Sequence, residues 1–175
     1  MPKRVNNIFK SAIAFRKLLE AHNKTKKRKR FKKQVIEFEM DLESNIIQIE
    51  MELLNGTYKF SKYFEFKIYE PKERIIKTLK YRDRVVQTWY VENFLKPYFA
   101  VSFISDSFAC IEDKGTHKAA NQMQKYLRKA DKEYEETWVL KCDISKFFFN
   151  IDCEILYKII ERKIQKREFL EFTKK

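Results

Sequence analysis

The chain has 175 residues, with 38 Lys and Arg against 25 Asp and Glu and a formal net charge of +13. That length suffices for one core, or one core and an arm, and two Gly and three Pro beside sixteen Phe and nine Tyr point to helices rather than a turn-rich chain. Three scattered cysteines without a CxxC spacing exclude a disulfide framework and lead us to expect a reduced, cytoplasmic setting. Nothing approaches the ~20 apolar residues of a bilayer span, and Met1-Pro-Lys-Arg4 lacks the apolar stretch of a signal peptide.

The charge is uneven. Residues 1–33 hold 13 Lys and Arg and one acid, Glu20, whereas the rest of the chain is nearly balanced. Residues 6–22 read as an amphipathic helix with Ile8, Phe9, Ala12, Phe15, Leu18 and Leu19 on one stripe. The basic run 24–33 follows. A second helix carries Val35, Phe38, Leu42, Ile46, Ile49 and Leu53 and stops at Asn55-Gly56.

Past Gly56 the period changes to two: Phe64, Phe66 and Ile68 alternate with Glu65, Lys67 and Tyr69, as in a half-buried strand. Residues 70–73 make a turn, and 74–79 return as the partner strand. A helix then runs from Arg82 to about Leu95, limited by Lys96-Pro97. Residues 101–115 read as loop, with Thr116 as the N-cap of a helix to about Ala130. Thr137 to Asp143 reads as a short buried strand that presents a carboxylate at its end, and 153–163 as a helix capped by Asp152. The expected fold class is α+β and helix-rich.

Four colinear segments carry a resemblance. They are Asn55-Gly-Thr-Tyr58; Tyr69-Glu-Pro-Lys-Glu-Arg-Ile-Ile76 with Tyr81-Arg-Asp-Arg-Val-Val-Gln87; Asp106-Ser-Phe-Ala-Cys110 with Lys114-Gly-Thr-His-Lys-Ala119; and Leu140-Lys-Cys-Asp-Ile-Ser-Lys-Phe-Phe148. Over roughly residues 30–165 the chain resembles bacterial reverse transcriptases, closest to those of diversity-generating retroelements, with group II intron enzymes as relatives. The resemblance implies a basic N-terminal helix and arm at 1–33. It makes 34–135 a fingers subdomain of helices plus a β-hairpin, and 136–175 the first strand and helix of an incomplete split-βαβ palm. Two positions depart from the family pattern: Phe149 stands where Pro is usual, and Cys153 where His is common.

The residues suggest the chemistry and the resemblance sharpens it. Mg²⁺ favours carboxylates plus substrate phosphates, and two such ions can clamp an in-line displacement at phosphorus. A carboxylate at the end of a strand suits such an ion, or caps the turn before Lys146; the resemblance implies that Asp143 is the catalytic, metal-bridging acid, with the Ile144 backbone carbonyl as a further ligand. Phe148 resembles a steric gate against the ribose 2′-OH, with Phe147 and Phe149 as ordinary core. Arg74 offers a bidentate fork, and Lys72 or Lys67 a point charge, for an incoming dNTP; ordinary surface charge is the alternative. Lys114, Gly115 and Thr116 open a helix suited to a template phosphate, or simply cap it. Lys27, Arg28 and Arg30 suit an RNA backbone, with a targeting tag or a solvated arm as alternatives; lacking an apolar face, the run does not suit a membrane. Asp83 complements the dipole of its helix, and neither Arg82 nor Arg84 is expected in catalysis.

The resemblance further implies two adjacent acids in a Tyr-x-Asp-Asp hairpin, and no adjacent Asp pair occurs. The chain is therefore expected to be the N-terminal part of an RNA-directed DNA polymerase, inactive by itself. Its partners would be RNA template, DNA product, dNTP and a retroelement accessory protein. The alternative is a non-catalytic RNA-binding remnant of such an enzyme.

Overall fold

Two breaks, each bridged by a side chain from a distance, shape the N-terminal helices. The computed structural model describes residues 8–69 and 71–174; Asn6 and Asn7 of the expected first helix, the Ile8 side chain and Glu70 of the expected turn lie outside the described residues. The expected helix 6–22 is two helices, α1 (Ile8–Ala12) and α2 (Phe15–Thr25). Between them Ala14 is extended, and the freed Phe15 N–H donates to Glu50 Oε1 at 3.0 Å. The expected second helix likewise divides at Asp41 into α3 (Lys33–Met40) and α4 (Leu42–Leu54). There Asn45 Nδ2 donates to the Phe38 carbonyl at 3.1 Å, meeting a backbone group the break left open.

Gly56 ends α4 as the sequence foretells. At φ +68° it takes the left-handed conformation, its N–H donates to the Leu53 carbonyl, and Thr57 N–H donates to the Glu52 carbonyl. That pair of bonds is a Schellman cap. The hairpin forms in its expected place, with β1 (Phe64–Ile68) antiparallel to β2 (Arg74–Thr78) and Phe66 opposite Ile76. Its alternation does not mark a buried face, however. Phe64, Phe66 and Ile75 are all about half exposed, because the sheet has only these two strands.

The helix α5 (Tyr81–Tyr90) passes through a wide π turn at Val91–Leu95 into α6 (Lys96–Phe99), so Pro97 does not limit it. Pro97 lacks an N–H and its ring crowds the carbonyl four residues back. The wide turn just before it shifts the bonding: Lys96 N–H reaches the Val91 carbonyl, and Asn93 Nδ2 donates to the Trp89 carbonyl at 2.9 Å. The helix α7 (Thr116–Glu133) starts with Gly115 as its N-cap, not Thr116, and no side chain caps it. Gly115 sits at φ +144°, ψ −176°, a region essentially closed to other residues. The helices α8 (Cys153–Lys163) and α9 (Arg167–Thr173) complete the chain; α9 was not foreseen.

The expected strand at 137–143 does not form. No ladder partner exists for it among the described residues, and Trp138, Val139 and Leu140 are exposed rather than buried. Strands outside a sheet leave their backbone groups to water. The protein is thus α+β and helix-rich.

Two compact units divide the chain. The first runs to Pro97 and resumes at Cys153, and it holds every buried residue described. Its aromatic centre joins Phe9, Trp89, Phe94, Phe169 and Phe172 with Tyr90, whose ring stacks on Phe169 at 5.3 Å and 4°. Burial pushes the Tyr90 hydroxyl up to about 12. Trp89 is fully buried and its Nε1 donates to the Ala12 carbonyl at 2.8 Å, just ahead of the first break. Trp89→Phe is expected to cost about 2 kcal/mol, from the volume lost and the carbonyl orphaned. Urea unfolding reads this; a loss under about 0.5 kcal/mol, the range of a surface change, would show that neither is felt. The second unit, residues 98–152, consists of the end of α6, α7, two short 3₁₀ turns and loops, without a buried residue.

Candidate functional site

In the first unit the segments Asn55–Tyr58 and Tyr81–Gln87 meet around one buried carboxylate. Asp83, 3% exposed on the first turn of α5, accepts the Tyr58 hydroxyl at 2.6 Å on Oδ1. Its Oδ2 accepts the Ser61 N–H at 3.1 Å and the Ser61 hydroxyl. Beside it Arg82 Nη2 lies 2.8 Å from Glu52 Oε1, and the guanidinium covers the Tyr58 ring at 5.2 Å. Burial, then the Asp83 hydrogen bond, push the Tyr58 hydroxyl well above its ordinary value, so it stays a donor. Asp83 therefore ties the end of α4 to the start of α5 and clamps the root of the hairpin. Its carboxylate does far more than complement a helix dipole.

The hairpin separates its candidate cations by face. Residues opposite one another share a face, so Arg74, opposite Ile68, lies with Phe66 and Ile76, while Lys67, opposite Ile75, lies on the other. Lys67 Nζ is 2.6 Å from Glu73 Oε1. Among the described residues neither Lys72, in the turn, nor Arg74 has an ion-pair partner.

A second buried network escaped the sequence. His22, on α2 and fully buried, stacks on Phe38 at 5.5 Å. Its Nε2 lies 3.2 Å from Glu39 Oε1 and its Nδ1 lies 3.1 Å from the Tyr81 hydroxyl. A carboxylate at Nε2 calls for N–H there, which leaves Nδ1 to accept from Tyr81. Lys26 Nζ donates to the same Glu39 oxygen at 2.7 Å. The one available sequence signal was His22 falling among Leu18 and Ala21 on the apolar stripe of α2, one turn before Lys26.

Burial is the main cause holding the His22 ring below its ordinary value, and Lys26 is the main cause lowering Glu39. The unfolded chain then takes up protons that the folded chain refuses, first on histidine near 6.5 and then on the carboxylate near 4.5. Unfolding free energy is expected to be level above about pH 6.5 and to fall as pH drops below it. Urea unfolding across this range tests the origin: His22→Gln should flatten the limb below 6.5, and an unaltered slope would exclude His22 as its source.

In the second unit, Lys114 Nζ donates to the Ser105 carbonyl at 2.5 Å and lies over Phe108, while Tyr126 Oη donates to Asp106 Oδ2 at 2.8 Å. The loop before Gly115 and Thr116 is thereby folded back on its own helix. Asp143 and Ile144 are exposed in irregular chain. A tight turn follows them: Lys146 is left-handed, Phe149 N–H donates to the Lys146 carbonyl, and Asn150 Nδ2 donates to the Ser145 carbonyl. Phe148 is 85% exposed. Phe147 and Phe149, expected in the core, are exposed too, since no element packs over this turn within its unit.

Among the described residues no three His, Cys, Asp or Glu side chains gather as a metal site. Asp143 with the Ile144 carbonyl supplies one carboxylate, which does not fit a complete two-Mg²⁺ centre. No helix among the described residues is long and apolar enough to cross a membrane. No protein-family model matches the chain, and no curated protein matches it.

Proposed function

We propose that the chain is the N-terminal portion of an RNA-directed DNA polymerase, engaging RNA template and incoming dNTP and contributing Asp143 as one acid of the catalytic centre. The observation that carries this reading is the Asp83 clamp. It joins two of the segments on which the resemblance rests, and the stretch of chain between them is the hairpin bearing Lys72 and Arg74. A hairpin gripped at its root, whose Lys72 and Arg74 have no ion-pair partner among the described residues, is suited to holding a triphosphate. Lys114, Gly115 and Thr116 at the head of α7, and the basic run, serve the template; Phe148 screens the sugar. A retroelement accessory protein is the expected further partner.

The test is primer extension on an RNA template with Mg²⁺ and dNTPs, by the polypeptide encoded by the whole reading frame. Extension is expected, and its absence overturns the catalytic reading. The single carboxylate at Asp143 favours one alternative, a non-catalytic RNA-binding module. That alternative predicts salt-dependent RNA binding by the same polypeptide without extension.

A further inference from the structure

The basic run is not a loose arm. Lys29 N–H donates to the Lys26 carbonyl at 2.8 Å and Lys32 N–H to the Lys29 carbonyl at 3.0 Å, with Arg28 left-handed between them at φ +63°. Two clefts lie against this folded turn. One, of about 480 Å³, is bounded by Lys24, Lys27 and Lys29 on the turn side and by Arg84, Gln87 and Thr88 of α5. The other, of about 590 Å³, is bounded by Lys24 and Lys27 again with Lys26, Arg28 and Arg30. They share Lys24 and Lys27, so the basic surface continues from one cleft into the next.

The charge there is unmatched. Each cleft has one acid on its rim, and each acid is already paired: Glu92 with Lys24 at 2.6 Å and Lys96 at 3.5 Å, Glu20 with Arg16 at 3.1 Å. Lys26 pairs with Glu39. Among the described residues Lys27, Arg28, Lys29, Arg30 and Arg84 have no ion-pair partner. Arg84 is held in place by the neutral Gln34 at 3.0 Å and by the Tyr81 ring at 5.4 Å, and its buried Nε has no acceptor. Unmatched cations crowded on one surface repel one another and draw a polyanion.

We infer that the two clefts form one groove that holds consecutive phosphates of a single RNA strand, with Arg84 as its anchor opposite Lys27 and Lys29. The inference rests on the RNA-binding part of the proposed function and adds a site to it, on α5. A repeating phosphate chain fits better than a lone phosphate, because the unmatched charge spans two adjoining clefts.

The test measures binding of a single-stranded RNA oligonucleotide by fluorescence anisotropy across a salt series, comparing Lys27→Gln/Lys29→Gln, Arg84→Gln and a control, Lys59→Gln/Lys62→Gln, exposed and outside both the groove and the basic run. Each phosphate contact removed should lower the log–log salt slope by about 0.7 for a single strand. The double groove variant should therefore lose about 1.4 and Arg84→Gln about 0.7, with the control unchanged. Arg84 also packs on Tyr81; if its variant fails to fold, the exposed double variant still decides. Equal losses in groove and control variants overturn the groove and leave RNA binding standing. No RNA binding by the parent chain overturns the proposed function with it. Competition by polyglutamate equal to that by unlabelled RNA overturns the assignment to RNA.

Discussion

Asp83→Ala is expected to cost the first unit about 3–5 kcal/mol. The carboxylate receives three hydrogen bonds, from the Tyr58 hydroxyl and from both donors of Ser61. Alanine leaves these donors in a site from which water is largely excluded, and each unmet donor costs about 1–3 kcal/mol. Against a total stability of about 5–15 kcal/mol for a domain of this size, the loss is severe. Tyr58→Phe removes one donor only and leaves Ser61 satisfied, so it should cost about 1–2 kcal/mol. Urea denaturation of both single variants and the double variant gives the coupling directly. A cost below about 1 kcal/mol for Asp83→Ala would mean that the clamp is not under load.

Asp143→Asn should remove primer extension while leaving RNA affinity and folding unchanged. The side chain is exposed, in a segment that contributes nothing to the buried core, so the substitution carries little structural cost. Asparagine keeps the shape of the acid and an oxygen acceptor but loses the negative charge that a hard cation prefers. Measured side by side with the parent polypeptide, a variant that still extends would deny Asp143 the role proposed for it. Loss of RNA binding together with extension would point to misfolding instead.

How much was legible depended on where each cause lay. Gly56 and the two-residue alternation at 64–69 announce themselves in adjacent residues, and both the Schellman cap and the hairpin stand where expected. The breaks at Ala14 and Asp41 were hidden because what meets the open backbone groups is Glu50, thirty-five residues from Phe15, and Asn45, seven from Phe38. Pro97 stopped nothing because the π turn upstream rearranged the bonding. The strand at 137–143 failed for the opposite reason: its residues favour pairing, but a ladder needs a second strand and local sequence cannot supply one. As for the site, Asp83 was seen but undervalued, since only the fold brings Tyr58 and Ser61 to it. His22 was overlooked because a solitary histidine on an apolar stripe carries no motif.

The hairpin stands apart from this bonding. Its five-residue strands are mostly exposed, with Ile68, Ile76 and Thr78 partly buried, and the Lys67–Glu73 and Lys77–Glu65 ion pairs that cross it are themselves half exposed. A two-stranded ribbon alone is marginal in water, so its amides open to solvent by local fraying, independently of the helices that Asp83 secures at its base. Hydrogen exchange in the ribbon thus serves as a built-in reporter: any ligand that settles on its tip must first quench that fraying, and the slowing at residues 64–78 measures how firmly it is held.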